Sequence, residues 1–224
     1  MSENKIIKSI ENNLTDFSDV SSVAMIIRHA ERGIIPENES GFHVNLTDKG
    51  ENDSIKFGEE VNKILRKSGF DLDIYTSPVP RCLNTAENII KGTDREILYK
   101  ISSYLGDPGV YISDDTIAGE AFLNRNASDV IDEYLKKGEM KGFHKPEEAG
   151  NRLLSLISKS LNNQNNFTVH ISHDAIIAPF VHHLVGNNSG IIIWPDFLEG
   201  MIFIRKNNEI TCCFDNRIFK ISEV

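Results

Sequence analysis

The sequence predicts an α/β domain: a mostly parallel central sheet flanked by helices on both faces, with an antiparallel edge and a small lid insertion. Three observations lead there. Short apolar runs alternate with amphipathic stretches along most of the 224 residues, three of those runs end abruptly on charged or hydroxyl side chains, and the C-terminal stretch reads as consecutive hairpins. A chain of this length suits one domain over 1–224, with residues 97–145 as the lid.

The elements follow in order. "SVAMIIRH" is an unbroken apolar run that stops at Arg28 and His29, as expected of a strand buried on both faces. "LTDKGENDSIKFGEEVNKILRKSG" places Thr47 as an N-cap, Phe57, Val61, Ile64 and Leu65 on one helical stripe, and Gly69 as a stop. "FDLDIYTS" alternates like a strand and runs into "PVPRCLNTAENIIKG", a second helix expected to end at Gly92. Together these make βα units.

Periodicity then loosens. Residues 97–144 carry a turn signal at Asp107-Pro108-Gly109 and one short helix, "SDVIDEYLKKG", with Ser128 as its expected cap and Gly138 after it. "KPEEAGNRLLSLISKSLNN" is another helix, with Pro146 in its first turn and Glu147 and Glu148 complementing the dipole. "FTVHIS" is a strand and "APFVHHLVG" a short helix. The tail from 201 to 221 is read as a meander turning near Asn207-Asn208 and Asp215-Asn216.

In an open α/β sheet the ligand crevice lies beyond the carboxyl ends of the strands. Arg28 and His29 follow the first strand, Ser77 to Arg81 the second, and His173 and Asp174 the strand "FTVHIS". All three sets should meet in one crevice. Charged groups gathered there are costly to desolvate unless they hold a counter-charge, so an anion is the expected ligand.

Composition narrows the classes further. A formal net charge of −9 disfavours non-specific nucleic-acid binding, so any anion site must be a local cationic pocket. Three cysteines, Cys82, Cys212 and Cys213, give no even disulfide framework, and a reducing, cytoplasmic setting is expected. The N-terminal stretch lacks an apolar core of the signal-peptide kind, and no apolar stretch of about 18 residues occurs, so no membrane partner is expected.

These residues resemble the histidine phosphatase superfamily, which includes the phosphoglycerate mutases and the histidine acid phosphatases. The resemblance rests on "RHAER" with Arg28, His29 and Arg32, "LTDKG", "TSPVPRCLNTAENI" with Arg81, Thr85 and Ala86, and "SHD" with His173, in that order over roughly residues 23–185. It implies that His29 is a nucleophile forming a phosphohistidine, which water then hydrolyses. It further implies that Arg28, Arg32 and Arg81 clamp the phosphoryl oxygens and that His173 donates another hydrogen bond. Asp174 stands where the acid-phosphatase branch carries its general acid. Asp107, in the segment 104–111 where mutases carry a glutamate, is the alternative. Ala30 departs from the glycine usual after the nucleophile, which leaves open whether a positive φ is needed there.

Bland readings stand beside these. Arg28 and His29 could form a salt-bridged strand end with Glu31, His170 is expected to be structural, and His43, His144, His182 and His183 receive no role. A metal-dependent phosphohydrolase is the rival suggested by "SHD", although such sites need further His and Asp ligands. The expected enzyme needs no metal and no cofactor. Its partner is a small phosphorylated substrate, a sugar phosphate by preference. A phosphohistidine or phosphotyrosine protein, mutase-type transfer, an idle phosphate binder and a homodimer all remain open.

Overall fold

Alternation inside the first apolar run decides how the sheet is covered. The computed structural model describes residues 7–8, 17–36, 41–123, 125–186, 192–207, 209–215 and 217–221. In strand β1 (Val20–Arg28), Val23, Met25 and Ile27 enter one hydrophobic core while Ala24 and Ile26 enter another. A strand apolar on both faces belongs in the interior of a sheet with helices on each side. β1 lies there.

The other strands are β2 (Asp71–Thr76), β3 (Tyr99–Ile101), β4 (Asn166–Ser172), β5 (Gly200–Lys206), β6 (Glu209–Phe214) and β7 (Arg217–Ile221). They form one sheet in the order β3-β2-β4-β1-β5-β6-β7. The first four are parallel, and β5, β6 and β7 add antiparallel neighbours, as the meander predicts. Asn207 and Asp215, at the two turns, have positive φ; their partners Asn208 and Asn216 lie outside the described residues.

Helices α1 (Asp48–Ser68) and α2 (Pro80–Thr93) cover one face. The Thr47 hydroxyl caps α1 by accepting from the Gly50 amide at 3.0 Å, and Gly69 closes it in the left-handed region, as expected. Gly92 does not stop α2, which continues to Thr93 with Asp94 as its left-handed cap. The glycine serves packing instead, since a Cβ there would lie 2.0 Å from the Ile55 carbonyl oxygen of α1.

The opposite face carries α3 (Asp115–Phe122), α4 (Ala127–Lys137), α5 (Pro146–Leu161) and α6 (Asp174–Val185). Ser128 is not the cap of α4; cap and helix start lie two residues earlier, at Asn126 and Ala127, and Ser128 sits in the first turn. α3 escapes the periodicity because Ala118 is its only buried residue, so it shows no apolar stripe. β3 escapes it too, being three residues at the sheet edge. The remainder of 97–145 is packed: Leu105, Val110, Tyr111, Val130, Ile131 and Tyr134 join the core of this face. No described helix is long and apolar enough to cross a membrane.

Candidate active site

Sheet register brings the three chemically loaded strand ends together. β4 lies between β2 and β1, pairing Ser172 with Arg28 and Ile171 with Thr76. The ladder continues one step past the strands: the His29 amide donates to Ser172 O at 2.9 Å and the Ser77 amide to Ile171 O at 3.0 Å. His29, Ser77 and His173 therefore emerge side by side. His173 is also the N-cap residue of α6, which puts Asp174 in that helix's first turn, where the dipole favours a carboxylate.

The loop after β1 is fastened by the "LTDKG" segment. The Thr47 amide donates to Glu31 O at 3.0 Å, and Arg32 bridges Leu46. Glu31 pairs with Lys49 at 2.9 Å and accepts from the Thr47 hydroxyl, so it is not the partner of Arg28 or His29. Ala30 is absent from the positive-φ residues, and its methyl is fully buried. Its amide donates to Thr85 Oγ1 at 3.1 Å, so alanine fits where glycine was a question.

The two imidazoles lie 5.3 Å apart between ring centroids, edge to face. His29 Nδ1 is 2.8 Å from Ala30 O; a carbonyl only accepts, so Nδ1 carries the hydrogen and Nε2 keeps its lone pair. Arg81 Nε donates to that Nε2 at 3.0 Å, its Nη2 reaches His173 Nδ1 at 3.1 Å, and its Nη1 donates to Gly41 O at 2.8 Å. Arg28 forms a 2.6 Å ion pair with Asp174, donates to Pro195 O at 3.0 Å and lies 4.1 Å from the Phe197 ring centroid. Its Nε is buried without a hydrogen-bond partner among the described residues. Arg32 donates to Gly33 O and lies near enough to act electrostatically on Arg28, Arg81 and His173.

Burial and the cationic surroundings act in the same direction on both histidines. Desolvation, then His173 and Arg81, hold His29 well below the ordinary imidazole range. Desolvation, then Arg81, Arg28 and Arg32, bring His173 down to about 3. Both rings are neutral near pH 7. Cys82 beside them is pushed up to about 12 by burial and remains a thiol. Three guanidinium groups thus gather around two neutral imidazoles, with Asp174 paired to Arg28 and Asp196 also acting on it. The arrangement can present a nucleophilic nitrogen to a dianion and neutralise its charge.

All the site residues expected from sequence, Arg28, His29, Arg32, Arg81, His173 and Asp174, gather here, with Arg32 the least engaged. Asp107 follows Gly106, whose backbone packs on His173, but its own side chain is exposed. His170 is fully buried, bonds Ser160 Oγ at 3.0 Å and stacks on Tyr75, a packing role. His183 bonds Asn151 and His144 bonds Arg152, both away from the cradle. Sequence reasoning missed Phe197, whose ring lies 5.7 Å from that of His29 and beneath Arg28, together with the carbonyls of Gly41 and Pro195. Backbone acceptors carry no residue signature, and Phe197 lies outside any periodic segment. Among the described residues no group of three or more His, Cys, Asp or Glu side chains is placed to hold a metal ion.

Comparison with solved structures returns the same architecture. The chain is similar to a phosphoglycerate mutase from Bacillus anthracis, with TM-score 0.58 and 15% identity, covering 86% of this chain and 92% of that one. It is also similar to a phosphoserine phosphatase mutant from Entamoeba histolytica in complex with phosphoserine, with TM-score 0.55 and 18% identity, covering 85% and 94%. A mycobacterial glucosyl-3-phosphoglycerate phosphatase matches with TM-score 0.54 and 14% identity, covering 81% and 88%. At these identities the likeness is one of fold. No curated protein matches in sequence. The histidine phosphatase superfamily (branch 1) model matches residues 24–192, a span holding every charged group of the cradle, and the chain belongs to that family.

Proposed function

We propose that this protein hydrolyses phosphomonoesters through a phosphohistidine at His29, without a metal ion. The observation that carries the reading is the state of His29: Nδ1–H is held by the Ala30 carbonyl, and the Nε2 lone pair faces the guanidinium of Arg81. A phosphoryl group drawn in by Arg28, Arg32 and Arg81 meets that lone pair.

In the first step Nε2 attacks phosphorus, the bond to the leaving oxygen breaks, and an acid delivers a proton to that oxygen. In the second, water attacks the phosphohistidine and gives up a proton to the same carboxylate. Phosphate leaves, and His29 returns to its neutral form. Asp174 is our choice of acid. Its ion-pair partner Arg28 has an unpaired Nε, and a phosphoryl dianion that recruits this guanidinium frees the Asp174 carboxyl group from the pair. Asp107 is the alternative.

The substrate we favour is a small phosphorylated metabolite such as a sugar phosphate. The lid mixes Asp107, Asp114, Asp115 and Glu120 with Arg125, Lys136 and Lys137, a mixture that does not point to a polyphosphorylated ligand. A cytosolic setting is part of this reading, supported by three buried thiols.

The test is a panel of phosphorylated metabolites and phosphopeptides, assayed for phosphate release by wild type and His29→Ala with a chelator present. Chelator-resistant release that the substitution abolishes is expected. Equal release by both proteins rejects His29 as nucleophile, and loss to the chelator rejects metal independence.

A further inference from the structure

We propose that Ser77 is a positioning residue that lets His173 exchange tautomers. One neutral imidazole then accepts from Arg81 in the arrangement seen here and donates to a bound tetrahedral dianion. The inference rests on the phosphoryl reading of the cradle and adds how its second histidine meets the anion.

Hydrogen-bond accounting leads to it. Arg81 Nη2 is only a donor, so His173 Nδ1, at 3.1 Å, must be accepting. The ring hydrogen is then on Nε2, 2.9 Å from Ser77 Oγ. Ser77 Oγ also receives the Val79 amide at 3.3 Å, so its own hydrogen turns to Cys82, which is within hydrogen-bonding reach. Cys82 Sγ stands 3.7 Å from Ser172 O, to which its thiol donates, and 3.5 Å from His173 Nε2 itself. Gly106 seals this corner: a Cβ there would stand 2.6 Å from His173 Nε2 and 2.7 Å from Ser77 Oγ. No side chain fits between them.

A phosphoryl oxygen is an acceptor. Beside Nδ1 as it now stands, it would set two lone pairs against each other. Gaining a proton would make His173 a buried cation facing Arg81, Arg28 and Arg32, with His29 neutral beside it and the carboxylates of Asp174 and Asp196 acting on Arg28. In the unliganded cradle burial first, and then Arg81, Arg28 and Arg32, bring its pKa down to about 3, and a bound dianion acts against them. Tautomer exchange avoids the added charge. Nδ1 takes a proton from solvent, Nε2 returns one to solvent so that no hydroxide or hydronium is left over, and Ser77 rotates its hydroxyl hydrogen from Cys82 onto Nε2. The proton count is unchanged, and the Val79 amide keeps its acceptor. A hydroxyl at position 77 can accept in one state and donate in the other; the Cys82 thiol, also near Nε2, is the weaker donor and is engaged with Ser172 O.

The experiment uses the full-length protein with histidine-¹⁵N labelling and sulfate, a tetrahedral dianion that brings no proton of its own. Resonances of His173 are assigned by their loss in His173→Gln. The expected result is a change from Nε2-protonated to Nδ1-protonated His173 on saturation, with calorimetry in two buffers of different ionisation enthalpy showing no net proton uptake. Ser77→Ala should bind sulfate about tenfold more weakly, the loss of one buried hydrogen bond between neutral groups, with proton uptake now accompanying binding. Ser77→Thr should restore the proton-neutral pattern. An imidazolium in saturated wild type, or an unchanged tautomer, overturns the role of Ser77 while leaving the cradle intact. Ser77→Ala binding sulfate at wild-type strength without proton uptake overturns it as well. No sulfate binding by wild type at all overturns the cradle and this proposal together.

Discussion

Arg28 and Asp174 meet in a 2.6 Å ion pair that ties the end of β1 to the first turn of α6 across the mouth of the cradle. Asp174 Oδ1 also accepts from the Ala175 amide at 2.8 Å, so the carboxylate is held from two directions. On the mechanism we propose, the same guanidinium is shared between a resident carboxylate and an incoming anion, and their competition links substrate binding to proton delivery.

That competition can be measured. Asp174→Asn is expected to lower kcat on alkyl phosphates by roughly 10²- to 10⁴-fold and on p-nitrophenyl phosphate by much less, because a good leaving group needs little protonation. Inorganic phosphate should inhibit the variant more tightly than wild type, since Arg28 no longer has a carboxylate to leave. Equal losses on both substrates would shift the acid role to another group, and Asp107→Asn assayed in parallel identifies whether it is Asp107.

Arg81 reaches both imidazoles and the Gly41 carbonyl through three separate nitrogens. An ammonium on a flexible stem cannot reproduce that fork. Arg81→Lys should lower kcat/KM by roughly 10²-fold, the loss typical of one preorganised charge-stabilising group. Steady-state kinetics at fixed ionic strength checks it, and a change under threefold would contradict the geometry.

The pH profile follows from His29 being neutral well below the ordinary imidazole range. kcat/KM reports the free enzyme. Once corrected for substrate ionisation, it should show no ascending limb near pH 6.5. An inflection there matched by a histidine-¹⁵N titration of His29 at the same pH would show that its environment does not depress it.

Stability has a sign of its own. His170 and His173 lie at about 3 when folded, below the unfolded value of about 6.5. Between those values the unfolded chain binds more protons, so their contribution is complete above about pH 6.5 and declines as pH falls towards 3. Urea midpoints should drop from pH 7 to pH 5. His170→Gln, which leaves the cradle untouched, should be less stable at pH 7 yet show a shallower decline; a parallel decline would remove His170 from the account.

Much of this molecule is written locally. The unbroken apolar run of β1, the stripe of α1 and its Thr47 and Gly69 caps are consequences of periodicity and local hydrogen bonding, which act over a few residues and leave a readable pattern. The strand-end position of Arg28, His29 and His173 follows from the same patterns plus the rule that α/β sheets bind ligands at their carboxyl edge. What periodicity cannot carry is which distant groups share a hydrogen. Gly92 looks like a helix stop until α1 is packed against it. Phe197 is an ordinary loop aromatic until β5 brings it under Arg28. The tautomers of His29 and His173, and the partner of Asp174, depend on register between strands far apart in the chain, where a shift of one residue would exchange every neighbour. Only the folded sheet decides those contacts, because a hydrogen bond is a statement about distance in space and the one-dimensional pattern records only distance along the backbone.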